Sequence, residues 1–304
     1  MNERADATGG HGDPGGPGRL FVVATPIGNL ADITLRAIES LGTVPLIAAE
    51  DTRLTRRLLD RHGIATRTIS YHARSGSGRL AELLAHLRGG ADLALVTDAG
   101  TPSVSDPGED LVAAWAAEGG VVVPIPGASA VLAVVAGSAV AGPRWSFEGF
   151  LPRSGRERKE RIARIAADDR GTVIYEAPSR VPPTLADLAR ACGPERPAAI
   201  GRELTKLHEE IVRGRLGELA ERARNGELTL RGEFAIVVGA WRERPVSAAG
   251  TAAGEDRETA ALAEVERRIA AGASRGDAAR TVAAETGIPR RKLYRAERDT
   301  GDPR

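Results

Sequence analysis

From Leu20 onward the chain alternates two kinds of segment. Short β-branched runs, LFVVA (20–24), PLIAA (45–49), TISYH (68–72), LALVT (93–97) and VVVPI (121–125), are each followed by a stretch with apolar residues three and four apart: DITLRAIESL, TRLTRRLLDRH, RLAELLAHL, EDLVAAWAAE and ASAVLAVVA. The first kind has the pattern of a strand, the second that of a helix with one apolar face. Strand and helix in steady alternation predict a mostly parallel sheet covered on both faces. A second set starts near Trp145. There FEGFL, TVIYEA, PAAIGREL, EEIVRG and FAIVVGAW are separated by fewer helical stretches, which predicts a mixed sheet.

The pattern fades at both ends. Residues 1–18 (MNERADATGGHGDPGGPG) are polar and Gly-rich, and read as a disordered tail. Residues 242–257 (RERPVSAAGTAAGEDR) read as a linker and residues 258–304 as helical. The predicted organisation is therefore an α/β fold of two domains, residues 19–143 and 144–241, followed by the linker and a helical tail.

Composition narrows the function. With 304 residues, 42% of them hydrophobic, the chain can bury two ordinary cores. Its net charge of +1 gives no global pull toward nucleic acid or membrane, so any site for a polyanion has to be a local patch. All but three of the 42 basic residues are arginine, which suits phosphate contacts and equally suits a GC-rich genome. The single cysteine, Cys192, has no internal disulfide partner and sits in an apolar helical run, so it is expected to be buried. No apolar stretch is long enough for a signal peptide or a membrane span, and the expectation is a soluble cytoplasmic protein without membrane contact.

Three loops then stand out. ALVTDAGTPSVSDPG (94–108) ends a strand in a Gly/Pro/Asp loop, and Asp106 followed by Pro107 predicts a helix N-cap with proline at the first helical position. ATPIGNL (24–30) follows the first strand and PIPGASA (124–130) follows the fifth, each with a glycine where a helix is about to start. One such loop is as readily a tight turn as a ligand cradle. Three on the carboxyl edge of one parallel sheet make a cleft, where open α/β folds bind ligands. The chain has no dinucleotide fingerprint after a strand, no phosphate-binding P-loop and no metal-ligand spacing among its histidines, which argues against NAD, ATP and zinc.

AEDTRLTRRLL (48–59) puts Glu50 and Asp51 at a strand end with Arg53, Arg56 and Arg57 on the helix that follows. As chemistry, the acids are candidate bases and the arginines candidate phosphate ligands. As structure, Asp51 or Thr52 caps the helix and the arginines are its wet face. YEAPSR (175–180) and GRELTKLHEE (201–210) place polar groups at strand ends in the second half, where His208, like His72 in the first, reads as structural. SRGDAARTVAAETGIPRRKLYRA (274–296) reads as helix, glycine turn, helix, with Arg290, Arg291, Lys292 and Arg295 on the second helix. That spacing is similar to a helix-turn-helix; an accessory helical pair in which Leu293 and Tyr294 simply pack explains it as well.

Taken in order, ATPIGNLADIT, AAEDTRLTRRLL, VTDAGTPSVSDPG, PIPGASA, GFLPR, YEAPSR, RELTKLHEE and RGEFAIVV resemble the ribosomal RNA small subunit methyltransferase I family of the tetrapyrrole methylase fold, over roughly residues 20–241. The resemblance implies an S-adenosylmethionine-dependent enzyme that methylates the ribose 2′-oxygen of a cytidine in small-subunit (16S) ribosomal RNA or its assembling particle. It also implies a homodimer with the cofactor between two α/β domains. Carried onto this chain, it places Gly100, Thr101 and Pro102 against the methionyl part of the cofactor, with Ile27, Gly28, Ser129 and Ala130 bordering the pocket and Tyr175 and Ala177 closing on the adenosine. Asp51 and Glu50 are the candidate bases; Arg53, Arg56, Arg57, Arg290, Arg291, Lys292 and Arg295 are the candidate RNA ligands. Two stretches depart from the family pattern: Ser179 stands where a histidine is usual, and residues 72–76 (HARSG) stand where the family has His-Glu-His-Asn-Glu. Two other readings share parts of this pattern. A methylase of tetrapyrroles would have the same cofactor loops, and a ligand-sensing DNA-binding regulator would have the same α/β body and helical tail, though it leaves AEDTR and YEAPSR unexplained.

Overall fold

The structure is a computed structural model and describes residues 16–241 and 248–294. They divide into two units, with the boundary after Trp241. The first unit holds two five-stranded sheets.

The first sheet is built from β1 (Leu20–Val23), α1 (Leu35–Thr43), β2 (Leu46–Ala49), α2 (Thr52–Arg61), β3 (Arg67–Ser70), α3 (Ser77–Arg88), β4 (Leu93–Val96), α4 (Glu109–Ala117) and β5 (Val122–Ile125). Its strands run parallel in the order β3-β2-β4-β1-β5. Side chains alternate across it: Leu46 and Ala48 of β2 face Leu83, Leu87, Leu111 and Trp115 of α3 and α4, while Ile47 and Ala49 face Leu41 and Leu59 of α1 and α2. Strands buried on both faces explain why these runs are continuously apolar. Gly18, read as the last residue of a tail, is held in place: its N–H donates to the Leu87 carbonyl at 2.7 Å and its bare Cα is pressed against Ala91.

The next helix, α5 (Ala130–Ser138), leaves the first sheet and packs on the second, with Val131 and Val134 in one cluster with Val173, Ala199, Ala235 and Val237. It follows the fifth strand in sequence but belongs to the core of the second half. That half continues with β6 (Trp145–Phe150), α6 (Gly155–Ala167), β7 (Gly171–Glu176), α7 (Val181–Cys192), β8 (Pro197–Arg202), β9 (Glu210–Arg215), α8 (Leu216–Arg224) and β10 (Phe234–Val238). The order is β6-β7-β10-β8-β9, with β6 and β7 parallel and the other pairs antiparallel, the mixed sheet expected. Its outer face is covered by α6, α7 and α8, where Cys192 is buried beside Leu188 and Leu219.

The second unit contains α9 (Ala248–Ala270), α10 (Arg275–Thr286) and α11 (Arg290–Tyr294), packed around Ala261, Val265, Ala278, Ala279, Val282 and Leu293. The alanine-rich stretch read as linker is helical from Ala248, since alanine has the highest intrinsic helix propensity. Ser274 caps α10 by accepting the Asp277 N–H, and Gly287 in the left-handed region, φ 73°, ends it. The helix–turn–helix order is present, with five residues of α11 among the described residues. Leu293 packs inward as the accessory-pair reading expected, while Tyr294 is 54% exposed. Among the described residues no helix is long and apolar enough to cross a membrane.

Candidate active site

Parallel register puts the carboxyl ends of β1, β2, β4 and β5 on one edge, and the loops that leave it face the inner surface of the second sheet. The key contact is between two of these loops. Thr25 and Gly100 exchange backbone hydrogen bonds, 2.9 Å from the Thr25 N–H to the Gly100 carbonyl and 3.1 Å in return, and the Thr25 hydroxyl donates to the Thr97 carbonyl at 3.1 Å. Gly100 holds φ 82°, a conformation that costs a side-chain-bearing residue roughly 1–2 kcal/mol. Beyond it, Ser103 and Ser105 also have positive φ, 68° and 64°, so the loop coils on itself.

The N-cap expected at Asp106 is not there. The helix begins at Glu109 with Gly108, φ 120°, in the cap position, and Asp106 is two residues short of it. The two left-handed serines lengthen the loop and turn Asp106 inward. Ser105 in turn rests on Gly149 of β6, where the ladder to β7 slips register between Phe147 and Phe150, so the loop is docked on the second half.

Between the halves lies a cleft of about 340 Å³. Of the residues that the resemblance put round a cofactor, Ile27, Gly100, Thr101, Ser129 and Ala130 line it from the first set of loops, and Tyr175 and Ala177 from the second half. Gly28 and Pro102 are not on its wall. Gly28 is bare because the Lys206 side chain crosses it, with Cγ 2.3 Å from where a Cβ would stand, and Pro102 is buried behind the loop. Tyr175 is held edge-on by Phe147, with ring centroids 4.9 Å apart. Ser129 caps α5, accepting the Leu132 N–H, so the amino end of that helix opens on the cleft.

Several wall residues lie within the motifs without having been singled out as cofactor contacts: Val104 and Asp106 in the first half, and Phe150, Gly201 and residues 232–235 in the second. Gly201 and the 232–235 strand end meet because β8 and β10 pair antiparallel, Phe234 against Arg202. Only the pairing of distant strands, invisible in a single sequence, brings them together.

The cleft's charge is acidic. Glu176 is buried but satisfied by Arg180 at 3.0 Å and by the Thr184 hydroxyl at 2.7 Å. Glu233 at the rim pairs with Lys206 at 3.1 Å. Asp106 alone of the three accepts no hydrogen bond among the described residues, and burial, with Glu50 and Asp98 nearby, pushes its carboxyl up to about 7. A group whose folded pKa lies above its ordinary 3.8 stabilises the fold fully at low pH and loses that contribution as pH rises toward 7. The Asp106→Asn variant escapes this loss. Its unfolding free energy in urea, relative to the unsubstituted chain, is expected to climb between pH 4 and 7 by roughly 1–2 kcal/mol after solvent screening. A difference that stays flat with pH would place this carboxylate in open water.

The acidic pair of the second strand behaves differently. Asp51 caps α2, accepting the Arg53 N–H at 2.8 Å, and pairs with the Arg53 guanidinium at 2.7 Å, which draws its carboxyl down to about 2. Glu50 accepts the Asp98 N–H at 3.3 Å, and the Asp98 carboxylate accepts the Asp51 N–H at 2.9 Å, so the two brace neighbouring loops. Neither Glu50 nor Asp51 is on the cleft wall. Of the arginines on α2, Arg56 is spent on the Thr66 carbonyl at 3.1 Å, whereas Arg53 and Arg57 are exposed. On α11, Arg290, Arg291 and Lys292 are exposed; Arg295 lies outside the described residues. Ser179 sits in a single 3-10 turn between β7 and α7, and residues 72–76 form an exposed turn closed by the Ser75 hydroxyl on the His72 N–H.

The comparisons with known proteins agree with this architecture. The pattern of the Tetrapyrrole (Corrin/Porphyrin) Methylases matches residues 19–220. The chain is 46% identical to "Ribosomal RNA small subunit methyltransferase I" of Synechocystis sp. over 91% of its own length and 96% of that protein's. It is 38% identical to the protein of the same name from Bacillus subtilis, over 92% and 94% of the two chains. Among solved structures, the uroporphyrin-III C-methyltransferase of Thermus thermophilus complexed with S-adenosylhomocysteine superposes with a TM-score of 0.53 at 21% identity, over 73% of this chain and 97% of that one. A cobalt precorrin-4 methyltransferase reaches 0.57 at 15% identity, covering 73% and 94% of the two chains. At such identities the structures speak for the fold, and the full-length relatives for the family. The chain belongs to the ribosomal RNA small subunit methyltransferase I family, within the tetrapyrrole methylases.

Proposed function

We propose that this chain is an S-adenosylmethionine-dependent methyltransferase that modifies the ribose 2′-oxygen of a cytidine in small-subunit ribosomal RNA. What carries the reading is the name shared by relatives 38–46% identical over most of the chain, whereas the solved tetrapyrrole methylases named above are 15–21% identical. The relatives named above carry neither a tetrapyrrole-methylase nor a regulator name.

The cleft fits the cofactor on the chemistry of its walls. Ile27, Val104, Phe150 and Tyr175 offer apolar surface for a nucleoside, and the Gly100 backbone offers close approach. An acidic lining suits a sulfonium cation, and the open amino end of α5 suits a carboxylate. When bound, S-adenosylmethionine supplies an already activated methyl group. What remains for the protein is to align the 2′-oxygen, exclude water and take up one proton. The Thr25–Gly100 bridge fixes the loop for the first task, and the docking of Ser105 on Gly149 closes the two halves for the second. For the RNA we propose Arg53 and Arg57 at the sheet edge and Arg290, Arg291 and Lys292 on α11 as phosphate contacts. The proposed setting is the cytoplasm, where small-subunit RNA is assembled, and the proposed assembly is a homodimer, whose contact could cover the exposed Leu35 and Leu207.

Offering the purified protein methyl-labelled cofactor with small-subunit particles and, separately, with uroporphyrinogen tests the substrate class. Label in RNA alone is expected, and label in the tetrapyrrole alone would overturn the reading. A chain ending at Trp241 is expected to keep its calorimetric affinity for S-adenosylhomocysteine while binding particles at least about tenfold more weakly, since counterion release from lost phosphate contacts scales with their number. Undiminished particle binding would assign the helical unit a packing role.

A further inference from the structure

The geometry points to Asp106 as the group that accepts the 2′-hydroxyl proton, an inference that rests on the proposed ribose methyl transfer. Of the titratable side chains on the cleft wall, it is the one free to do so. Glu176 is committed to Arg180 and Thr184, Glu233 to Lys206, and no histidine lies on the wall. The Tyr175 hydroxyl, pushed up to about 12 by burial and by Asp106 itself, stays protonated near neutral pH. Asp51 is bound to Arg53 and is off the wall, and Glu50 braces the Asp98 backbone.

The loop is shaped to present this carboxylate. Two left-handed serine positions, Ser103 and Ser105, with Val104 between them, are unusual for residues with a side chain, and they carry Asp106 away from the helix start it would otherwise cap. Ser105 is wedged against Gly149, so the coil is fixed to the second sheet and does not swing free. Charged neighbours reach Asp106 from the end of β2 (Glu50) and from the loop after β4 (Asp98), with the Tyr175 phenol opposite on β7. Both carboxylates raise its proton affinity, which suits a base working near neutrality.

In the proposed step the 2′-oxygen forms its bond to the methyl carbon while its proton passes to the Asp106 carboxylate. The C–S bond breaks with its electron pair going to sulfur, leaving the neutral thioether, and the proton then departs to solvent. No other reactant is required.

Single-turnover transfer to small-subunit particles at saturating cofactor, from pH 5.5 to 9, tests this in the full-length chain. The unsubstituted enzyme is expected to quicken about tenfold per pH unit up to a midpoint near 7 and then level off. Asp106→Asn is expected to be slower by roughly 10²- to 10⁴-fold and to lose that pH dependence. Asp98→Asn, which removes one neighbouring charge but can still accept the Asp51 N–H, should move the midpoint to lower pH. Calorimetry with S-adenosylhomocysteine is the readout independent of turnover, and Asp106→Asn should bind it as tightly as the parent. Loss of that affinity would make Asp106 a cofactor ligand and overturn the assignment. So would a variant with unchanged rate and pH profile. Absence of RNA methylation by the unsubstituted chain, with S-adenosylhomocysteine still bound, would instead sink the underlying substrate reading.

Discussion

Gly100→Val is expected to weaken S-adenosylhomocysteine binding by at least about 100-fold, some 2.7 kcal/mol, while the chain stays folded. The two parts of this expectation have separate causes. A Cβ at Gly100 meets Ile27 Cγ2 at 3.5 Å and the Ala128 carbonyl at 3.9 Å, which is ordinary contact, so no core atom has to move. The φ of 82° costs a non-glycine residue roughly 1–2 kcal/mol, which a domain with about 5–15 kcal/mol of stability survives. The two methyls of valine, however, have only the cleft to occupy, on the stretch of backbone that the cofactor has to approach. Gly100→Ala carries the strain with less bulk and is expected to fall between the two. Calorimetry beside circular dichroism decides the matter, and normal binding by the valine variant would reduce this loop to a simple turn.

The second large effect is on stability. Arg196 is fully buried, and its guanidinium donates to the carbonyls of Gly239 at 2.9 Å, Ile165 at 3.1 Å, Asp168 at 2.9 Å and Arg170 at 3.0 Å. The α6 helix ends at Ala167, so two of these partners are carbonyls at its carboxyl end, where a cation is favoured twice over, by hydrogen bonding and by the helix dipole. The planar head also lies over the Trp241 ring, 5.3 Å from its centroid. One side chain thus ties α6, β7, β8 and the end of β10 together. Arg196→Ala orphans four buried carbonyls and leaves a cavity, and is expected to cost about 3–5 kcal/mol of unfolding free energy, measured by urea denaturation. Arg196→Lys, with a point charge in place of the fork, should recover less than half of it. A loss below about 1 kcal/mol would mean that water replaces the guanidinium.

How far the sequence could be read follows from the range of the interactions involved. The apolar periodicity located the ten strands of the described residues, most plainly the inner ones, because burial leaves a local pattern, whereas the edge strands β3 and β9 are only half-buried. Asp51 as cap of α2 was legible because the cap and its target, the Arg53 N–H, are two residues apart. The same rule failed at Asp106, where Ser103 and Ser105 adopt left-handed conformations that propensity assigns to glycine or asparagine, and the helix starts late. Membership of the cleft was legible for residues on the loops of the parallel sheet and illegible for Gly201 and 232–235, which arrive through antiparallel pairing. Nor could composition tell that Arg56 is tied to Thr66 while Arg57 beside it faces solvent. Long-range pairing decides such cases, and a single sequence does not record it.

Ribose methylation of small-subunit RNA is the claim on which the rest depends. Mass spectrometry of nucleosides from small-subunit ribosomal RNA addresses it, comparing a strain that lacks this gene with the same strain after the gene is restored. One 2′-O-methylated cytidine is expected to disappear on deletion, return with the intact gene and fail to return with the Gly100→Val form. An unchanged set of methylated nucleosides across these strains would contradict that claim.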